Sequence, residues 1–390
     1  MSRFSPRLAV QLAFSAYQTL EEQITADRFG TPLVRQYVDF HSLASGRTGI
    51  GFIHRESGFA ALGIGKGPHQ GDAVIAIRGT QLSSLIDWHT NLNVGLSVCD
   101  NGHSIHSGFS QTFASLRPHF QRFLDVWRTL PGIRGALHCV GHSLGGALAV
   151  LAADWAVGAG YGRRVYLYTF GAPRVGLAGF AQANTGRVLA NHRCIHAADP
   201  VTLVPLWPFV HSPIQGVEYR LDRGHGLSPL AHLMDPRSGA VPGYLASADT
   251  NDWGAFYKSF HGEPHPVHLR YEDRHQASFS DDWCDRLAAA LITILKETGY
   301  YAAVVAQASL GVGATFYDML AATLESIAKA GDVAAHLVRG LLGHMLVFAG
   351  AACSAVTDLG QRTIRRIFDL MLERLYGAVR EALRRPHPPK

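Results

Sequence analysis

The pentapeptide Gly141-His142-Ser143-Leu144-Gly145 limits this chain more than any other feature. It sits between ALHCV (136–140), which reads as a buried strand, and GGALAVLAADWAV (145–157), which reads as a helix. A strand that becomes a helix within one sharp turn lifts the turn's side chain above the sheet, and small flanking residues are what so strained a turn tolerates. A serine hydroxyl is a poor nucleophile at neutral pH unless a base and a substrate both reach it. Ser143 is therefore the expected nucleophile. The Leu144 amide opens the following helix and is placed to face an oxyanion, with the helix dipole behind it.

The surrounding pattern alternates strand and helix. GDAVIAIRGT (71–80), VYLYTFG (165–171) and RCIHAA (193–198) read as strands, and the apolar spacing from Phe109 to Trp127 predicts a helix over 108–129. The N-terminal segment, with Leu8, Leu12 and Tyr17 on one face, reads as a further helix. This alternation predicts an α/β fold with a mostly parallel central sheet flanked by helices. Residues 211–265 are rich in Gly, Pro and His without a sustained period. A long irregular stretch of that kind is more often functional than filler. Beyond Asp281 only helices are expected, so the chain divides into an α/β region over 1–280 and a helical region over 281–390.

Charge and cysteine usage narrow the function classes. Eight of the 35 lysines and arginines and three of the 30 acidic residues lie from Gln361 onward, so everything before is formally neutral. A nucleic-acid-coating surface is not expected from that distribution. The five cysteines are scattered, with no Cys-x-x-Cys pair, which argues against a disulfide framework or a cysteine zinc site. His261, His265 and His268 are close in sequence, but Pro264 and Pro266 interrupt any helix that would align them on a metal. No metal and no cofactor are expected.

Six segments in order resemble the class 3, fungal-type lipases of the α/β-hydrolase fold: VIAIRGT (74–80), DWHTNLNV (87–94), IHSGF (105–109), GHSLGGALA (141–149), TFGAPRVG (169–176) and DPVTLVP (199–205). The resemblance implies Ser143 as nucleophile and Asp199 as the carboxylate that orients the base, with Thr80 completing the oxyanion hole beside the Leu144 amide. Read as residues alone, Asp199 also suits a turn before Pro200, and Thr80 a strand end. The family's base lies in a short H-L-x-Y-like context, which His268 matches in VHLRY (267–271). His268 is thus the expected base, with His232 in AHLMD as the runner-up. The family's lid falls between Thr80 and His106, where Leu82, Leu85 and Trp88 are the expected acyl-facing residues; an ordinary amphipathic helix is the alternative.

The implied activity is hydrolysis of carboxylic esters of lipids, as a lipase or phospholipase. A different class of reading is an antibacterial lipase-type effector attacking membrane phospholipids and held in check by an inhibitory immunity partner. A third is a non-catalytic lipid-binding scaffold. Two uncharged 18-residue stretches, Tyr300–Tyr317 and Gly340–Thr357, stand at the lower edge of bilayer-spanning length. The last helix alternates apolar residues with arginines, which suits either an anionic membrane surface or a bundle packed on the hydrolase. The N-terminus has no clear signal-peptide pattern. A cytoplasmic protein, or one exported by a signal-independent route and associated with membrane, is the expectation.

Overall fold

The computed structural model describes residues 3–21, 24–50, 53–79, 95–130, 135–162, 164–224, 226–235, 242–260, 265–310, 316–351 and 355–385. Ten strands occur among them: Val38–Ile50 (β1), Ile53–Gly65 (β2), Ala73–Ile77 (β3), Leu96–Val98 (β4), Ser104–His106 (β5), Leu137–His142 (β6), Val165–Phe170 (β7), Ala190–Ile195 (β8), Val217–Arg220 (β9) and Tyr257–Phe260 (β10). Eight of these form one sheet in the order β1-β2-β3-β6-β7-β8-β9-β10, and β4 pairs with β5 apart from it. From β3 to β9 the neighbours run parallel. The pairs β1–β2, β2–β3 and β9–β10 are antiparallel. This is the mostly parallel, helix-flanked sheet of an α/β-hydrolase.

The strands that read as continuous apolar runs are the buried central ones, as expected for parallel strands covered on both faces. Successive side chains divide between two cores. Ile75, Ile77, Leu137 and Cys139 face the elbow helix Leu144–Gly158 and the long helix Ser107–Thr129. Val74, Ala76 and Val140 face the N-terminal helix Pro6–Ser15, which is capped by the Ser5 hydroxyl accepting from the Leu8 amide at 3.2 Å.

The C-terminal region folds as helices Asp281–Glu297, Tyr301–Leu310, Phe316–Lys329, Asp332–Phe348 and Gln361–Arg384. The apolar core runs unbroken from the sheet into Trp283, Leu320, Leu341, Leu372 and Leu375. Trp207 meets the rings of Tyr301 and Phe316, and Arg220 bonds Asp281 at 2.8 Å. No single described helix is long and apolar enough to cross a membrane. One pair, Asp281–Glu297 with Tyr301–Ala308, reaches that length only across a 117° bend. The second uncharged stretch breaks where the helix ends at Phe348 and Gly350 takes φ 82°. In the last helix, Ile364, Ile367, Phe368, Met371, Leu372, Leu375, Val379 and Leu383 are all buried. Its apolar stripe packs inside the molecule, the arrangement of the packed-bundle reading.

Candidate active site

The elbow follows from steric demands that the sequence meets locally. Ser143 has φ 58° and ψ −130°, a strained conformation for a residue with a side chain. A Cβ on Gly141 would stand 2.1 Å from the Gly145 carbonyl oxygen, and one on Gly145 would stand 2.2 Å from that of Ile77. The turn therefore closes only with glycine at both places. A Cβ on Gly79 would press on Ser143 at 2.9 Å. Arg78, itself buried, holds that strand end by donating to the Gly79 and Gly58 carbonyls, each at 2.6 Å.

Two one-turn 3-10 helices bring the partners to the serine. Asp199 follows β8 and caps Pro200–Leu203, its Oδ1 accepting from the Val201 amide at 2.8 Å. His232 ends Pro229–His232. His232 Nδ1 lies 2.9 Å from Asp199 Oδ2, and His232 Nε2 lies 2.9 Å from Ser143 Oγ. An ionised carboxylate only accepts, so the Nδ1–H donates to Asp199, leaving Nε2 to accept the serine proton. Asp199 and His232 are fully buried and Ser143 is 2% exposed, so water does little to dilute these interactions.

Further side chains hold this relay. The Tyr244 hydroxyl donates to Asp199 Oδ2 at 2.7 Å and accepts from the His196 amide at 3.0 Å. Burial, with the Asp199 charge beside it, pushes the Tyr244 pKa well up, which keeps the hydroxyl a donor. His142 Nε2 bonds the His232 carbonyl at 2.9 Å, and His196 Nδ1 bonds the Ala231 carbonyl at 2.7 Å. Tyr17 Oη meets His142 Nδ1 at 2.7 Å. Gly171, at φ 57°, leaves room for the carboxylate: a Cβ there would lie 2.7 Å from Asp199 Oδ2.

Of the residues expected from sequence, Ser143 and Asp199 come together, and Leu144 is the first residue of the elbow helix. His268 does not join them. It is half exposed, and its Nε2 meets Glu297 at 2.9 Å. The VHLRY segment serves packing instead. Leu269 is buried with its carbonyl against Gly340, and the Tyr271 ring fills the space at Gly343. His232, the runner-up, takes the central position. Thr80 and the expected lid residues Leu82, Leu85 and Trp88 lie outside the described residues. Tyr17, His142, His196 and Tyr244 were not anticipated. His142 lay within the recognised motif, but nothing local marks Tyr244 or His196 as facing Asp199 and Ala231.

Residues 74–209 match the family described as Lipase (class 3). That span is what the chain shares with the class 3 lipases. The matched span holds Ser143 and Asp199 and stops short of His232. Among curated relatives, a secreted mono- and diacylglycerol lipase of Fusarium solani is 32% identical over 158 residues, covering 39% of this chain and 45% of the relative. Phospholipase A1-II 1 of Oryza sativa subsp. indica is 27% identical over 192 residues, covering 43% of this chain and 48% of the relative. The chain thus spans just under half the length of these relatives. A solved structure of the Rhizomucor miehei lipase propeptide complex is 24% identical, covers 55% of this chain and 67% of its own, and has a TM-score of 0.43. The matched span runs from β3 to β8 and includes the elbow, while the five described helices from Asp281 on lie beyond it.

Proposed function

We propose that this chain is a serine hydrolase that cleaves carboxylic esters of lipids, with Ser143, His232 and Asp199 as its triad. The observation that carries the reading is the continuous relay from Ser143 Oγ through His232 to Asp199, with both links at 2.9 Å. His232 Nε2 takes the Ser143 proton as Oγ attacks the ester carbonyl carbon. The negative charge that develops on the carbonyl oxygen is met by the Leu144 amide at the positive end of the elbow helix. Thr80 is its expected partner there. Collapse of the tetrahedral species breaks the ester C–O bond, and the His232 proton goes to the leaving alcohol. Water, deprotonated by the same nitrogen, then attacks the acyl-enzyme and frees the acid and the serine. Asp199 fixes the ring's orientation and stabilises the imidazolium formed in each half-reaction.

The lipid character of the ester is supported by the span shared with the class 3 lipases and by the names of the two curated relatives. A fluorophosphonate probe tests the nucleophile: it should label the wild type at Ser143 and leave a folded Ser143→Ala protein unlabelled. A panel of phospholipids, triacylglycerols and short p-nitrophenyl esters tests the substrate class. Turnover of short soluble esters with none of any lipid would make the chain a general esterase.

A further inference from the structure

At the end of the central strands opposite the elbow, three buried side chains converge that ester hydrolysis does not use. Asp72 immediately precedes β3. His138 is the second residue of β6, in register with Val74, and His69 closes the turn Gly67–His69. Asp72 and His138 are fully buried and His69 is 6% exposed. Donor atoms of all three lie within 4.8 Å of one another.

Asp72 Oδ1 accepts the Ala136 amide at 2.6 Å. Its Oδ2 lies 3.3 Å from His138 Nε2 and 3.5 Å from His69 Nδ1. A charge-assisted N–H···O contact is normally about 2.7–2.9 Å, so both are long. His69 Nδ1 is buried and has no hydrogen-bond partner. Among the described residues no lysine or arginine pairs with Asp72.

Two of the three separations, from Asp72 Oδ2 to His138 Nε2 and to His69 Nδ1, suit a bound cation. Two ligands about 2.0–2.1 Å from a tetrahedral zinc stand about 3.3–3.4 Å apart. We infer that His69 Nδ1, Asp72 Oδ2 and His138 Nε2 bind one divalent transition-metal cation of the zinc type. Two imidazoles and a carboxylate are a donor set that such an ion accepts. His138 Nδ1 faces Tyr168 Oη at 3.3 Å, the outer contact that orients a metal-bound imidazole. The Phe4 ring stacks on His138 at 3.8 Å and meets His69 edge-on at 4.6 Å, so it walls the site from any substrate. The ion would fasten β3, β6 and the turn before β3 beneath the N-terminal segment. The role is structural, and it is independent of the ester chemistry. The cysteine spacing and the His261–His268 run hold no trace of it, because the ligands are two short-range residues and a third on the next parallel strand.

The test uses the full-length protein, stripped with a chelator and reloaded with Co²⁺ or Zn²⁺. The expected result is one equivalent of metal per chain, visible d–d absorption from low-coordinate cobalt, and a higher Tm with Zn²⁺. His69→Gln, at the edge of the cluster, should fold and lose all three responses, as should Asp72→Asn. If Asp72→Asn does not fold, His69→Gln decides alone. A stripped wild type whose Tm and spectrum ignore both metals would overturn the inference and leave a plain His–Asp–His hydrogen-bonded network. So would a His69→Gln protein that binds like wild type, since the metal would then reside on other histidines.

Discussion

His142 Nε2 donates to the backbone carbonyl of His232 across 2.9 Å, so the residue before Ser143 holds the main chain of the histidine that faces it. A carbonyl only accepts, which places the His142 proton on Nε2 and leaves Nδ1 to accept from Tyr17 Oη at 2.7 Å. The N-terminal helix and its 3-10 extension Ala16–Leu20 thereby reach the candidate site through the His142 imidazole.

His142→Ala removes a buried donor and a buried acceptor at once. The expected cost is about 1–3 kcal/mol of unfolding free energy, read by urea denaturation. Because the base loses its backbone anchor, kcat on a soluble ester should fall by about ten-fold or more while KM changes little. Wild-type kcat in a folded His142→Ala protein would show that His232 is held by its other contacts.

The helix Gln361–Arg384 packs against both 3-10 turns that present the site, Pro200–Leu203 after Asp199 and Pro229–His232. Deleting residues 361–390 uncovers the partners of the eight buried apolar side chains named for this helix. At roughly 1.5–3 kcal/mol each, their burial matches or exceeds the usual stability of a domain. The truncated chain should precipitate or lose soluble-ester hydrolysis. Leu375→Ala, at a fully buried position, is the milder variant and should lower stability by about 2–5 kcal/mol. A truncated protein that stays soluble and turns over short esters would make the helix peripheral.

His192 is buried among Tyr168, Trp253 and Tyr219. Burial, assisted by the Arg3 charge, lowers its pKa from 6.5 to about 3. The unfolded chain therefore takes up a proton below pH 6.5 that the folded chain refuses until about pH 3. This contribution to stability is complete above pH 6.5 and is lost as pH falls through that window. Urea midpoints measured across it should drop with acid, and His192→Phe should flatten the slope. An unchanged slope would assign acid sensitivity to other groups.

The sequence made legible the parts whose burial leaves a run of one residue type. Strands β3, β6 and β7 stand out because both faces are covered, and the elbow stands out because two glycines must flank it. The long hairpin β1–β2 was not anticipated. Its strands, VDFHSLASGRTGI and IHRESGFAALGIG, mix glycine and polar residues with few β-branched ones. Nor was β9, a four-residue strand inside the irregular stretch, recognised by parallel pairing with β8. The sequence context of His268 misleads for a different reason. A short H-L-x-Y pattern records local chemistry, and here VHLRY lies under the added helix Asp332–Phe348 with Leu269 and Tyr271 as packing residues. Only the folded chain distinguishes a histidine aimed at Ser143 from one aimed at Glu297.

The most direct test of the site is kcat/KM on a soluble p-nitrophenyl ester for wild type, Ser143→Ala, His232→Ala and His268→Ala, each verified as folded. Triad members act as a unit, so Ser143→Ala and His232→Ala should both lose about ten-thousand-fold to a million-fold. His268→Ala removes only a half-exposed pair with Glu297 and should stay within about two-fold of wild type. An active His232→Ala protein beside an inactive His268→Ala one would contradict the account and move the base to the segment under the C-terminal helices.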